Sequence, residues 1–174
     1  MFKVGANLVK LNIIFFALLI PILSKSQKLD LIFDLKWDMN ETQVIHQIEK
    51  VRRVLPSKKT GDTFISTLHY DNQYFDNHKS VSTVLYFQNM KLSFIEIYFA
   101  PDPNSTLGLF NSIKNTLTEK YFQPQVCKDS PTFCAWFFPE DDPNAKNGFL
   151  NLSMVNNGLV LIYQRQKNKK YSDF

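Results

Sequence analysis

Glycine is scarce in this chain, five residues in 174, and so are histidine, with three, and cysteine, with two. The glycine shortage matters because neither G-x-G-x-x-G nor G-x-x-x-x-G-K-S/T occurs, so no backbone cradle for phosphate is written in the sequence. Neither a G-x-S-x-G turn nor a reactive-cysteine context is present, which leaves no nucleophile with a positioned base. His46, His69 and His78 lie far upstream of Cys127 and Cys134, so a zinc site of mixed cysteine and histidine has no compact set of ligands. The expectation is therefore a chain that is not an enzyme, with no catalytic residues, no metal and no cofactor.

A hydrophobic run long enough to cross a bilayer is also lacking. The apolar run 11–23 falls short of the ~20 residues a spanning helix needs. It follows Lys3 and Lys10 and ends in Ser24-Lys25-Ser26, the pattern of a secretory signal whose small residues place the mature start at Gln27. No cysteine follows the run, so lipid attachment at a bacterial lipobox has no thiol to use. The alternative is an uncleaved signal anchor, and the membrane is then met through this segment alone. Either way the expectation is an exported protein, periplasmic or secreted.

Charge of one sign is missing once the signal is set aside. Residues 1–26 take Lys3, Lys10 and Lys25 and no acid from the total of 20 basic and 16 acidic side chains, leaving 17 against 16. The pI near 9.0 is thus partly a property of the targeting segment. A balanced surface cannot displace counterions along a nucleic-acid backbone, so nucleic acid is not an expected partner. The remaining 148 residues suit one domain with a core of its own, residues 27–165, followed by a polar tail, 166–174.

Cys127 and Cys134 have six residues between them, and in an oxidising compartment a disulfide is the default reading, with two free thiols the alternative.

Residues 28–36 read as a short strand leading to Trp37. A helix should follow, capped by Asn40 with Gln43 three positions on, and Val44, Ile48, Val51 and Leu55 fall on one helical stripe before Pro56. After the polar break 57–62, residues 63–70 alternate as a strand, with Phe64, Leu68 and Tyr70 on one side. A polar loop, 71–80, then leads into a hairpin over 81–99 that turns at Gln88-Asn89-Met90-Lys91. Val81, Thr83, Leu85 and Phe87 share one face of its first strand; in its second, Leu92, Phe94, Glu96 and Tyr98 alternate with Ser93, Ile95, Ile97 and Phe99. Asn104 or Ser105 can cap a second helix with the stripe Phe110, Ile113, Leu117 and Tyr121, ending before Pro124. Strands over 133–138, 149–155 and 159–165 complete the pattern, the last two joined by the turn-forming Asn156-Asn157-Gly158.

The order of elements repeats: helix and three strands in 40–99, helix and three strands in 104–165. The expected fold class is α+β, two αβββ units forming one antiparallel sheet with both helices packed on one face. The hairpin 81–99 lies at its centre.

Trp37-Asp38-Met39-Asn40-Glu41-Thr42-Gln43-Val44 resembles the W-G-M-S/T-x-x-E/Q-V helix start of many small exported bacterial proteins, and residues 117–124 resemble their L-x-x-K-Y-G-x-P helix end. Asp38 and Phe122 stand where those proteins commonly have glycine. The resemblance is to helix-plus-sheet modules similar to BamE/SmpA of the outer-membrane assembly machinery, or to the tandem modules of β-lactamase-inhibitor protein. It implies an envelope or secreted binding module and supplies no catalytic residues.

Three polar groupings compete with that expectation. His69, Asp71, Asp76 and His78 are the best metal-like set and would serve a metal-dependent hydrolase using His69 and His78, although loop polarity accounts for them. Glu140, Asp141 and Asp142 lack the spacing of a calcium loop. Asn40, Asn104 and Asn151 begin N-x-S/T sequons that a eukaryotic secretory pathway could glycosylate, although Asn40 serves better as a helix cap.

The aromatic load is more telling. Tyr86, Phe94 and Tyr98 should share one side of the central hairpin with Glu96, while Trp37, Tyr74, Phe75 and Trp136 lie near element ends. If the helices cover the opposite face, these side chains form a partly exposed surface for an unidentified protein partner, centred on Tyr86, Phe94, Glu96 and Tyr98. If both faces are covered, they are core. The leading expectation is a non-catalytic exported module that binds another protein in the bacterial envelope or outside the cell. The alternative is a carrier of a small molecule or lipid in a cavity between sheet and helices.

Overall fold

The computed structural model describes residues 32–100, 105–129, 132–138, 148–155 and 158–165. The expected signal segment, the polar tail, Asn104, residues 140–142 and the turn residues 156–157 lie outside the described residues.

Among the described residues two α-helices, α1 (Glu41–Arg52) and α2 (Thr106–Lys120), accompany ten strands. Four strands follow α1 into the main sheet, β1 (Lys58–Gly61), β2 (Ile65–Asp71), β5 (Ser82–Gln88) and β6 (Lys91–Phe99). Between β2 and β5 a separate two-stranded ribbon, β3 (Tyr74–Phe75) with β4 (His78–Lys79), replaces the expected polar loop. Four more strands follow α2: β7 (Val126–Asp129), β8 (Thr132–Phe138), β9 (Gly148–Val155) and β10 (Gly158–Arg165). The eight lie in the order β1-β2-β5-β6-β10-β9-β8-β7, each neighbour antiparallel. The class is α+β, and the last strand of each half, β6 and β10, pairs at the centre.

Local chemistry explains most of these boundaries. Asn40 Oδ1 accepts from the Gln43 N–H while Gln43 Oε1 accepts from the Asn40 N–H, both at 2.9 Å, a complete capping box. Helix α1 ends with Arg53 in left-handed geometry, so Leu55 leaves the expected stripe and is exposed; Val44 and Ile48 are fully buried, while Val51, in the last turn, is also exposed. In α2 the whole stripe Phe110, Ile113, Leu117 and Tyr121 is buried as the spacing requires. Ser105 occupies the N-cap position of α2 and its side chain makes no cap bond. The β5–β6 turn has Asn89 and Met90 at φ 52° and 60°, the positive values a two-residue type I′ hairpin needs.

Several expectations are corrected. Ile32–Asp34 is a 3-10 turn with Phe33 and Asp34 at positive φ, so the described part of 28–36 is not a strand, although Phe33, Leu35 and Trp37 alternate into the core. Strands β1 and β7 add a fourth strand to each expected unit of three; KKTG and VCKD lack the apolar alternation that marks a strand. Phe64 is exposed because β2 starts only at Ile65, two residues later than expected, after Asp62 Oδ1 takes the N–H groups of Phe64 and Ile65. Gly61, at φ 95°, closes that turn, and a Cβ there would collide with the Ile65 carbonyl oxygen. Leu92 is buried with Ile95, three positions away, because the β5–β6 register shifts between Tyr86 and Phe87 and Ser93 is left as a bulge.

One buried cluster unites Val44 and Ile48 of α1 and the α2 stripe with Leu68, Leu85, Ile97, Leu150, Leu152, Trp136 and Leu161 of the sheet. Both helices therefore pack on one sheet face. Trp136 is completely buried and its Nε1–H donates to the Phe122 carbonyl at 2.9 Å. Cys127 and Cys134 are directly opposed on β7 and β8 and form a disulfide, with Cα atoms 4.2 Å apart.

Candidate functional site

Strand alternation decides what the other face carries. With Leu85, Ile95, Ile97 and Leu161 turned to the helices, Tyr86, Phe94, Glu96, Tyr98 and Ile162 must turn away from them. Register then brings them together. Tyr86 pairs with Phe94, Val84 with Glu96 and Ser82 with Tyr98, and on the other side of β6 Glu96 pairs with Ile162.

All four sequence-predicted contact residues are partly buried and adjacent. The Tyr86 and Phe94 rings meet edge to face, with centroids 5.2 Å apart. The hydroxyls of Tyr86 and Tyr98 both donate to one oxygen of Glu96, Oε2, at 2.7 and 2.6 Å. Burial raises the Tyr86 phenol well above its ordinary value, and the Glu96 carboxylate adds to that. Tyr98 is pushed up to about 12 by the same two causes in the same order.

The four other aromatic residues expected at this surface divide. Trp37, Phe75 and Trp136 are buried in the core beneath the helices, a correction, while Tyr74 on the β3–β4 ribbon is exposed. Beyond the residues the sequence singles out, Phe137, Phe149 and Gln164 also belong to the face, with Ile162. Alternation could have found Phe137, since Trp136 beside it points inward. Phe149 and Phe137 are cross-strand partners with ring centroids 6.4 Å apart. With Phe94, Lys91, Gln164 and Arg165 they line an open cleft of about 830 Å³ at the hairpin end of the face. Arg165 is held there by Asp38, which sits at φ 68°, in the left-handed region that glycine favours.

The metal-like set does not converge. His69 Nε2 lies 3.0 Å from Thr67 Oγ1, and His78 Nε2 lies 3.3 Å from Ser112 Oγ on α2. Among the described residues no group of three or more His, Cys, Asp or Glu could hold a metal ion. Of the sequons, Asn40 is occupied by its cap, and Asn151 is in the middle of β9 with its Oδ1 buried. Among the described residues no helix is long and apolar enough to cross a membrane. Comparison with family models, with curated proteins and with solved structures gave no match in any of the three.

Proposed function

We propose that this chain is a non-catalytic exported module that binds another protein through the sheet face turned away from its helices, in a bacterial envelope or outside the cell. One observation carries the reading: Tyr86, Phe94, Glu96 and Tyr98 cluster on the adjacent interior strands β5 and β6, on the face neither helix covers. Tyrosine and phenylalanine supply contact area at little entropic cost, and a rigid central strand holds them in fixed positions. The Cys127–Cys134 bridge supports an oxidising destination and so the signal-peptide reading. Helix followed by four sheet strands, twice, supports reading the domain as two like units in the manner of the BamE/SmpA or inhibitor-protein modules.

The test is affinity capture from extracts of the compartment that receives the protein, comparing the unaltered chain with the double variant Tyr86→Ala, Tyr98→Ala. The unaltered chain should retain a discrete partner that the variant loses while melting as a folded protein. Equal capture by both removes the proposal. A second reading, a small-molecule or lipid carrier, is favoured by the aromatic cleft beside Phe94, Phe137 and Phe149 rather than by the space under the helices, which Trp136, Leu117 and Ile113 fill. Native mass spectrometry of the purified chain would reveal a stoichiometric ligand if that reading holds.

A further inference from the structure

Glu96 is a carboxylate that the described protein leaves without an opposite charge. Its two hydrogen bonds both fall on Oε2, and Oε1 accepts none among the described residues. The described ion pairs join Lys59 to Glu41 and Arg165 to Asp38, neither on Glu96. Its cross-strand neighbours are Val84, which is buried, and Ile162; along β6 its neighbours on the same face are Phe94 and Tyr98. Val84 and Ile162 offer it no side-chain donor. His69 stands two strands away in the same row and is hydrogen-bonded to Thr67. Lys91 and Arg165 lie toward the hairpin end, Arg165 already engaged.

This environment selects the chemistry of what docks there. A carboxylate partly withdrawn from water and flanked by apolar side chains attracts an arriving cation through less intervening solvent than an exposed one does. The faces of Tyr86, Phe94 and Tyr98 attract cations as well, through the negative potential over each ring. Of the cationic side chains, a guanidinium uses the setting best: it is planar, stacks on aromatic rings and presents paired N–H donors to a carboxylate. Resting on the docking function proposed above, we infer that the partner protein places an arginine side chain on Glu96, its guanidinium bonded to Oε1 and stacked among the rings of Tyr86, Phe94 and Tyr98.

The probe is a blocked tripeptide with a central arginine, compared with the same peptide carrying citrulline, which keeps the shape and loses the charge. Both are titrated into the full chain with its disulfide formed, while the aromatic ring resonances of Tyr86, Phe94 and Tyr98 are followed by NMR. The arginine peptide should move these signals saturably, and the citrulline peptide should bind about tenfold more weakly or worse. Glu96→Gln, which keeps an acceptor oxygen for both phenols, should lose a similar factor while its melting temperature stays near that of the unaltered chain. Equal responses to the two peptides, or no ring response to arginine, overturn the inference, and this comparison needs no variant to fold. Its failure is separable from failure of the docking reading. Capture that depends on Tyr86 and Tyr98 while the arginine peptide is silent removes only the guanidinium. Capture indifferent to those tyrosines removes the docking function even where the peptide binds.

Discussion

The two faces of the sheet treat the same functional group in opposite ways. Tyr70, on β2 beneath the helices, is buried with its hydroxyl making no hydrogen bond among the described residues, and burial alone pushes its phenol up to about 12. Tyr86 and Tyr98, on the face without helices, are only partly buried and share one acceptor, Glu96. The inner face is organised to exclude water and tolerates a polar atom as the cost of a large ring in the core. The outer face is organised around a polar group, and its rings are arranged about a carboxylate. That contrast distinguishes a surface that stabilises the chain from one available for contact.

The largest effect should come from breaking the contrast at adjacent residues of one strand. Trp136 is fully buried and Phe137, next to it, is about half exposed at 47%. Trp136→Ala removes an indole and its bond to the Phe122 carbonyl, and should cost about 3–5 kcal/mol of unfolding free energy in urea titrations. Phe137→Ala should stay within about 0.5 kcal/mol of the unaltered chain. Similar losses at both positions would mean that the outer face is also core.

Next in size is the disulfide, which fastens the outermost strand β7 to β8 on the inner side. Replacing both cysteines with alanine should cost roughly 2.5 kcal/mol, the chain-entropy value for closing so short a loop. Because β7 is an edge with one neighbour, hydrogen exchange should accelerate in β7 first and leave β5 and β6 protected. Uniform loss of protection would show that the bridge holds the whole inner face rather than its margin.

A smaller effect belongs to the cap of α1. Asn40→Ala deletes one half of the capping box and should lower stability by about 1 kcal/mol, read as a fall in the denaturation midpoint with unchanged slope. The helix covers only the inner face, so docking through Tyr86 and Tyr98 should persist at temperatures where the variant is folded. Loss of docking in a folded Asn40→Ala chain would mean that the two faces are coupled.

How far the sequence disclosed these features follows from where each signal resides. The stripe of α2 was legible because each of its four positions faces the core, and Asn40 with Gln43 was legible because a cap is a local bond. Strands β1 and β7 were not, because an edge strand is held by backbone pairing on one side and needs no apolar side chains. Strict alternation places Leu92 on the outer face, and the bulge at Ser93 resets that alternation; bulges follow from pairing rather than composition. The cluster of Tyr86, Phe94, Glu96 and Tyr98 is untouched by that shift because all four lie on the same side of the bulge, where Tyr86 pairs with Phe94. What the sequence could not disclose is that both phenols meet one oxygen, since that depends on the pairing of β5 with β6 and on side-chain direction.

The smallest and most discriminating effect is a titration. An unfolded tyrosine has the ordinary value of 10.0, whereas Tyr70 and Tyr98 in the folded chain are each raised to about 12. Between those values the unfolded chain has released protons that the folded chain retains, so stability falls as pH rises. The contribution is complete below pH 10 and is lost as pH climbs through about 12, on both faces alike. The causes differ, however, and Glu96→Gln separates them. Without the negative carboxylate Tyr98 should titrate nearer its ordinary value, with burial the remaining cause, while Tyr70, which burial alone shifts, should not move. Phenolate absorbance in the near ultraviolet, assigned with Tyr70→Phe and Tyr98→Phe, reads each group directly. If Glu96→Gln leaves Tyr98 as high as before, the outer phenols are held up by burial like the inner one, and the electrostatic distinction between the faces is lost.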